Sequence, residues 1–233
     1  MNDNLSEVLE EILLDRGAAA VGFADLSQLD SSRRPGFIRG ISIVCALSPS
    51  VVKELPEGPT RAYYEEYERV NDRLEKLVKV AENFLAEEGY KSGSDSVTTY
   101  TEKGTYRTRL PHKTVATRAG LGWIGKNALL ITEEYGGAVR IATVLTGAPL
   151  KTGEPVNISS CGDCSECVEA CFADAIKGVR WNVNKDRDEL IAPTLCREKG
   201  RKKAARVGLD GVFCGRCFAV CPYTQKYITQ NQK

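Results

Sequence analysis

The sequence predicts an α+β fold, with helices and short buried strands alternating first and a cysteine-organised module following. Three observations carry this. Between Leu5 and Leu145, three segments that read as strands alternate with segments of helical periodicity, the pattern of a mixed α/β sandwich. Eight of the nine cysteines lie beyond residue 160, in two spaced runs. No internal repeat or low-complexity stretch interrupts the 233 residues. A chain of this length holds one large domain or two small ones. The expected division is 1–150 and 151–233, with Pro149 to Ser160 as a polar connector.

The elements come in this order. Leu5, Val8, Leu9, Ile12 and Leu13 form one helical stripe that Arg16-Gly17 ends. Ala18 to Phe23 and Ile41 to Leu47 read as buried strands. Pro59 to Glu88 is a long amphipathic helix, with Tyr63, Tyr67, Val70, Leu74, Leu77, Ala81 and Phe84 at three- and four-residue steps. Pro59 suits its first turn and Gly89 its end. Val97 to Tyr100 is expected as a strand and Pro111 to Ala119 as a helix before a glycine-rich turn. Ala138 to Leu145 is the third expected strand.

The cysteine spacing is the most specific feature. Cys161, Cys164, Cys167 and Cys171 are spaced C-x2-C-x2-C-x3-C; Cys196, Cys214, Cys217 and Cys221 come later, the last before Pro222. The first run has the spacing of bacterial ferredoxins, in which three cysteines hold one 4Fe-4S cluster and the fourth crosses to another. Two-residue loops let three thiolates converge on one face of a cubane. The fourth falls on the following helix and points away. Cys161, Cys164, Cys167 and Cys221 are thereby assigned to one cluster; Cys171, Cys196, Cys214 and Cys217 to the other. Structural zinc pairs two C-x2-C units and fits this spacing poorly. Phe172 stands where a proline usually follows the fourth cysteine, but proline is not a ligand.

Composition sets the compartment. The apolar share of 42% and charged share of 27% are those of a soluble globular protein. The acidic N-terminus lacks the basic and apolar regions of a secretion signal. No apolar run approaches the roughly 20 residues of a membrane span. A cytoplasmic setting is expected, where thiols stay reduced and free to bind metal. The formal charge of +1 would become negative with two thiolate-bound cubanes, and argues for no particular partner.

Gly120, Gly122 and Gly125 spell G-x-G-x-x-G, and Gly120 to Lys126 also begins a P-loop. A dinucleotide site needs a strand before and a helix after, whereas a helical segment precedes here. A P-loop needs Ser or Thr where Asn127 stands. Two readings remain: a tight turn that packs Trp123, or a backbone that approaches a flat, bulky cofactor.

The segment from His112 and Lys113 through Arg118-Ala-Gly-Leu-Gly-Trp-Ile-Gly-Lys126-Asn127, then Tyr135-Gly136, resembles the epoxyqueuosine reductase family, with both cysteine runs in that family's order. The resemblance spans about Leu5 to Tyr223. It implies a nitroreductase-like α/β sandwich followed by a ferredoxin-like double-cubane module. It further implies a two-electron reduction in the cytoplasm on cobalamin, as in the similar reductive dehalogenases. By this resemblance Gly120, Gly122, Trp123, Gly125, Lys126 and Asn127 contact the cofactor. FMN is the alternative cofactor, since the implied fold also hosts flavins.

The chain departs from the family twice. It lacks the C-terminal helical repeats used toward tRNA. It also has no aspartate upstream of the turn, since residues 104–118 contain no carboxylate. Tyr106 and His112 are the protonatable groups left as catalytic candidates. The expectation therefore moves from epoxyqueuosine on tRNA to another reduction of a small substrate, with nucleic acid and membrane not expected as partners. Rival readings are an electron carrier or reductive activator for a partner corrinoid protein, and a flavin-dependent reductase. The expected donor is a ferredoxin or flavodoxin, for which the basic run Arg197 to Arg206 is a candidate contact and a solvated face the plainer reading. Cys45 reads as a buried hydrophobe, and Tyr63, Tyr64 and Tyr67 as core and rim rather than a cofactor platform.

Overall fold

The computed structural model of the chain describes residues 4–34, 36–94 and 104–231. In chain order the elements are α1 (Leu5–Asp15), β1 (Ala20–Asp25), β2 (Arg39–Ala46), α2 (Pro49–Val52), α3 (Arg61–Glu87), β3 (Ser92–Ser94), α4 (His112–Arg118), β4 (Trp123–Ile124), β5 (Leu130–Ile131), β6 (Val139–Thr146), α5 (Glu166–Glu169), α6 (Arg187–Leu190), α7 (Pro193–Arg206), α8 (Arg216–Ala219) and α9 (Pro222–Gln230). By internal contacts they form two units. One comprises residues 1–46, 70–121 and 140–156, the other 47–69, 122–139 and 157–233. The linear division at residue 150 stays a proposal about modules.

The first unit is built on a sheet in the order β1-β2-β6-β3. β1 and β2 pair antiparallel from Ala20↔Val44 to Asp25↔Arg39, and β3 pairs β6 from Ser92↔Thr146 to Ser94↔Val144. Six consecutive residues of β2 are buried, as expected of a strand covered on both faces. Leu5, Leu9 and Leu13 of α1 are buried, as are Val115 and Ala116 of α4. Two glycines set the closeness of packing. A Cβ on Gly22 would stand 2.8 Å from Leu121 Cγ, and one on Gly40 2.7 Å from Val115 Cγ1. On α3, Val70, Leu74, Leu77 and Ala81 are buried as expected, while Leu85 is buried in place of Phe84.

Strand boundaries shift for a local reason. β1 starts at Ala20 because the Ala18 N–H donates to Leu13 O at 3.0 Å, closing the end of α1. Gly17, at φ +96°, makes that turn. The expected strand at Val97 to Tyr100 lies outside the described residues; the short strand β3 ahead of it has no counterpart in the sequence pattern.

The second unit has few long elements. α5, α6 and α8 have four residues each. β4 and β5 form a two-stranded hairpin, Trp123↔Ile131 and Ile124↔Leu130. Aromatic contacts fill the rest: Tyr63 lies 6.1 Å from Phe218, while Tyr64 and Tyr67 meet Phe213 edge-on at 5.2 and 5.3 Å. These tyrosines are core and rim, as the sequence suggested. Cys45 is fully buried in β2 of the first unit.

Candidate iron–sulfur centre

The glycine turn resolves into the β4–β5 hairpin. The Gly125 N–H donates to Leu129 O and the Ala128 N–H to Gly125 O, both at 2.8 Å. Asn127 Oδ1 accepts from the Leu129 N–H at 3.1 Å, an Asx-type turn. After Gly125 the chain thus turns into a strand, not into the helix a phosphate-binding loop requires. Lys126 and Asn127 sit at the tip, both buried. The Lys126 ammonium donates to Cys164 O at 2.7 Å, and the Asn127 amide to Cys217 O at 3.4 Å. One hairpin tip therefore touches both cysteine loops. Lys126 is neither a surface lysine nor, on this geometry, an open cation.

Cys161, Cys164, Cys167 and Cys221 line one cavity, together with Gly125, Lys126 and Asn127. Gly162, at φ +53°, turns the loop between the first two cysteines. Cys221 is the N-cap residue of α9, with Pro222 at the first helical position. The Tyr223 and Thr224 N–H groups donate toward its sulfur. Thr224 Oγ1 accepts from the Gly137 N–H at 2.8 Å, tying α9 to the loop after the hairpin.

Cys171, Cys196, Cys214 and Cys217 line a second cavity, together with Phe172, Lys199, Lys203 and Arg216. The Ala175 N–H donates to Cys171 Sγ at 3.4 Å. Gly215, at φ +79°, starts α8 between Cys214 and Cys217. Phe172 has a second use here: Lys203 Nζ lies 3.7 Å and Arg216 Cζ 4.0 Å from its ring centroid, two cation–π contacts beside the cavity.

Electrostatics groups the thiols the same way. Burial, then the charges of Cys161, Cys221 and Cys164, pushes the Cys167 thiol up to about 11. Cys196 is raised by burial, then by Cys171 and Cys214. Cys217 is raised well above 9.0 by burial, then by Cys214, Cys196, Cys167 and Cys171. Cys167 and Cys217 thus mark where the two quartets approach each other. Iron must displace the thiol protons, and its positive charge relieves the crowding of buried thiolates. Among the described residues no three Cys, His, Asp or Glu side chains converge as ligands of a single ion. Each quartet surrounds a void instead, which suits a cubane bound at its corners.

The remaining candidates are divided between the units. Tyr106, Gly120 and His112 belong to the first. Tyr106 has φ +56°, a backbone conformation rare outside glycine. His112 is the first residue of α4, half-buried. The glycines are accounted for by close packing within the chain itself. A Cβ on Gly120 would stand 2.8 Å from Glu154 O; on Gly122, 2.1 Å from Ile131 O; on Gly125, 2.7 Å from Asn127 Oδ1. Trp123 is buried, 4.9 Å from the Tyr223 ring, and its indole N–H meets no acceptor among the described residues. Sequence reasoning singled out the basic run Arg197 to Arg206 but did not place Lys199 and Lys203 beside the second cysteine quartet. Lys199 and Lys203 lie three and seven residues after Cys196, a spacing that marks one helix face.

This fold and these quartets define an iron–sulfur protein of the double-cluster class, and residues 160–224 match the family described as the 4Fe-4S double cluster binding domain. The chain is similar in sequence to epoxyqueuosine reductases. It is 31% identical over 202 residues to the epoxyqueuosine reductase of Bacillus cereus, covering 81% of this chain and 48% of that one. An epoxyqueuosine reductase solved with a modified tRNA stem loop matches at TM-score 0.64 and 22% identity, over 95% of this chain and 66% of that one. A catabolic reductive dehalogenase solved with 3-bromo-4-hydroxybenzoic acid matches at TM-score 0.71 and 17% identity, over 94% and 31%. The chain spans about half the length of the Bacillus cereus relative and 29% of one from Listeria monocytogenes. Among the described residues no helix is long and apolar enough to cross a membrane.

Proposed function

We propose that the chain is an iron–sulfur oxidoreductase. Cys161, Cys164, Cys167 and Cys221 hold one 4Fe-4S cluster; Cys171, Cys196, Cys214 and Cys217 hold the other. The carrying observation is the sorting of eight cysteines into two voids, with Cys221 and Cys171 each crossing to the other run's set. Bound there, each cubane supplies a one-electron couple. The residues around them tune and insulate that couple. Ala175, Tyr223 and Thr224 aim N–H dipoles at sulfur, which favours the reduced form. Phe213 and Phe218, packed by Tyr63, Tyr64 and Tyr67, shield the loop that carries Cys214 and Cys217. Asn127 borders the first void and binds the backbone of Cys217, so it braces the gap the electron crosses.

The terminal cofactor is a corrinoid, with FMN as the alternative. The relatives support it more than this chain's geometry does. Of the hairpin residues, the Trp123 indole N–H offers an unused donor for a polar rim group, while Gly122 and Gly125 are filled by the chain itself. Tyr106 and His112 stand as proton donors to a small substrate. The rival substrate is RNA, favoured by the related structure with a tRNA stem loop. The rival role is an electron carrier or activator for a separate corrinoid protein, favoured by the filled glycines.

The deciding experiment is anaerobic purification, metal analysis and titration with hydroxocobalamin, then FMN. About eight iron and eight sulfide per chain, with saturable micromolar cobalamin binding weakened in Trp123→Phe, is the expected result. Full clusters with neither ligand bound would transfer the weight to the carrier. Iron well below eight would defeat the two-cluster assignment.

A further inference from the structure

We infer that one face of α7 is the docking surface for an acidic one-electron donor protein, placed to feed the cluster held by Cys171, Cys196, Cys214 and Cys217. The inference rests on the cluster assignment proposed for this chain. α7 carries six basic residues and one acidic, against a net +1 for the whole chain. Its charges are not evenly spread. Lys199, Lys202, Lys203 and Arg206 fall at i, i+3, i+4 and i+7, a single helical stripe. Lys199, Lys202 and Arg206 are exposed. Lys199 and Lys203 also border the second cavity, as does Cys196, three residues before Lys199. The stripe thus runs from solvent to the sulfur of a proposed ligand along one helix. Leu195, 36% exposed, lies on the same side of the helix, four residues before Lys199. An apolar point inside a basic rim is suited to a protein surface, with charge steering the encounter and the leucine fixing it.

The first cavity offers no such approach: among the described residues that line it the one cation is Lys126, buried and bonded to Cys164 O. Electron input at the second cluster leaves the first beside the hairpin tip. In the step, one electron leaves the donor, which is oxidised by one equivalent, and reduces the cluster by one. No bond forms or breaks. A basic stripe would also attract RNA, but RNA has no use for proximity to Cys196, and an electron donor does.

The test uses anaerobic holoprotein and reduced flavodoxin as the acidic probe. Cluster bleaching is followed by stopped flow from low to high salt, and binding of oxidised flavodoxin by calorimetry. Expected in Lys202→Glu/Arg206→Glu is a fall of about tenfold or more in the second-order rate at low salt, and loss of calorimetric binding. Dithionite should bleach variant and parent alike. Lys53→Glu/Lys76→Glu, the same charge change on exposed lysines elsewhere, should keep the parent rate. A salt-independent rate, an equal loss in both variants, or an unchanged rate with lost binding of an RNA stem loop would overturn the docking surface. Absence of dithionite-bleachable absorption in the parent would instead strike the cluster assignment itself.

Discussion

Cys196 is set apart in sequence from Cys214 and Cys217, yet its thiol faces the same cavity as theirs and that of Cys171. It contributes to one quartet only. Cys196→Ala should therefore cost about four of about eight irons per chain and leave one cluster's electron paramagnetic resonance signal. Loss of both signals in a folded variant would contradict the assignment. The proposed quartets could be drawn from sequence because their spacing is covalent: two-residue loops restrict where three sulfurs can go. The partners of Lys126 and Asn127 were not legible. Cys164 and Cys217 stand 38 and 90 residues away, and only the folded hairpin brings them near. Tyr135 is another such residue. Burial, then a hydrogen bond involving Glu134, pushes its phenol from 10.0 up to about 12. The unfolded chain then ionises first, so the contribution to stability is full below pH 10.0 and is lost between there and about pH 12. Spectrophotometric titration should show a late tyrosine phase that Tyr135→Phe removes. A titration complete near pH 10 would show the shift to be absent.

At the scale of elements, the long pieces were read well and the short ones were not. α1, α3 and α4 announce themselves by apolar periodicity, and β1, β2 and β6 by short, mostly apolar segments, which Ser42 in β2 and Arg140 and Thr143 in β6 interrupt. β4 and β5 have two residues each, too few to show a period, and β4 hid inside a motif that imitates nucleotide-binding loops. The glycines there were legible as necessary but not in their reason. Gly122 is required because its α-carbon faces Ile131 O across the hairpin, with no space for a methyl group at 2.1 Å. Backbone cannot swing aside as a side-chain end can. Gly122→Ala should thus cost about 3 kcal/mol or more, lower the melting temperature, and reduce iron occupancy at the first cavity, which the hairpin tip borders. A variant with parent stability and full iron would mean the hairpin relaxes freely.

Across the whole molecule, the class α+β and the order of sandwich before cluster module were legible from pattern and spacing. The sharing of chain between units was not, because segments 47–69 and 122–139 join the second unit through contacts far from them in sequence. The two units also differ in what stabilises them. The first has a four-stranded sheet whose strand β2 has six consecutive buried residues, and the buried stripe of α1, a core that stands on apolar burial. In the second, α5, α6 and α8 are single turns, too short to offset their own nucleation entropy. Eight thiols are gathered there at a cost in desolvation and mutual repulsion, visible in the raised Cys167, Cys196, Cys214, Cys217 and Cys221. Iron, when bound, would offset that cost and cross-link loops otherwise held by the Lys126 and Asn127 hydrogen bonds and by aromatic packing. Removing it should therefore unfold the second unit locally and leave the first folded. Hydrogen exchange before and after anaerobic iron chelation is the measurement. Amides of Cys161 to Cys171 and Cys214 to Cys221 should lose protection by orders of magnitude, while those of β1, β2 and β6 keep theirs. Equal loss in both units would mean that the metal holds the entire chain together. Unchanged protection near the cysteines would mean that aromatic packing around Phe213 and Phe218 suffices without it.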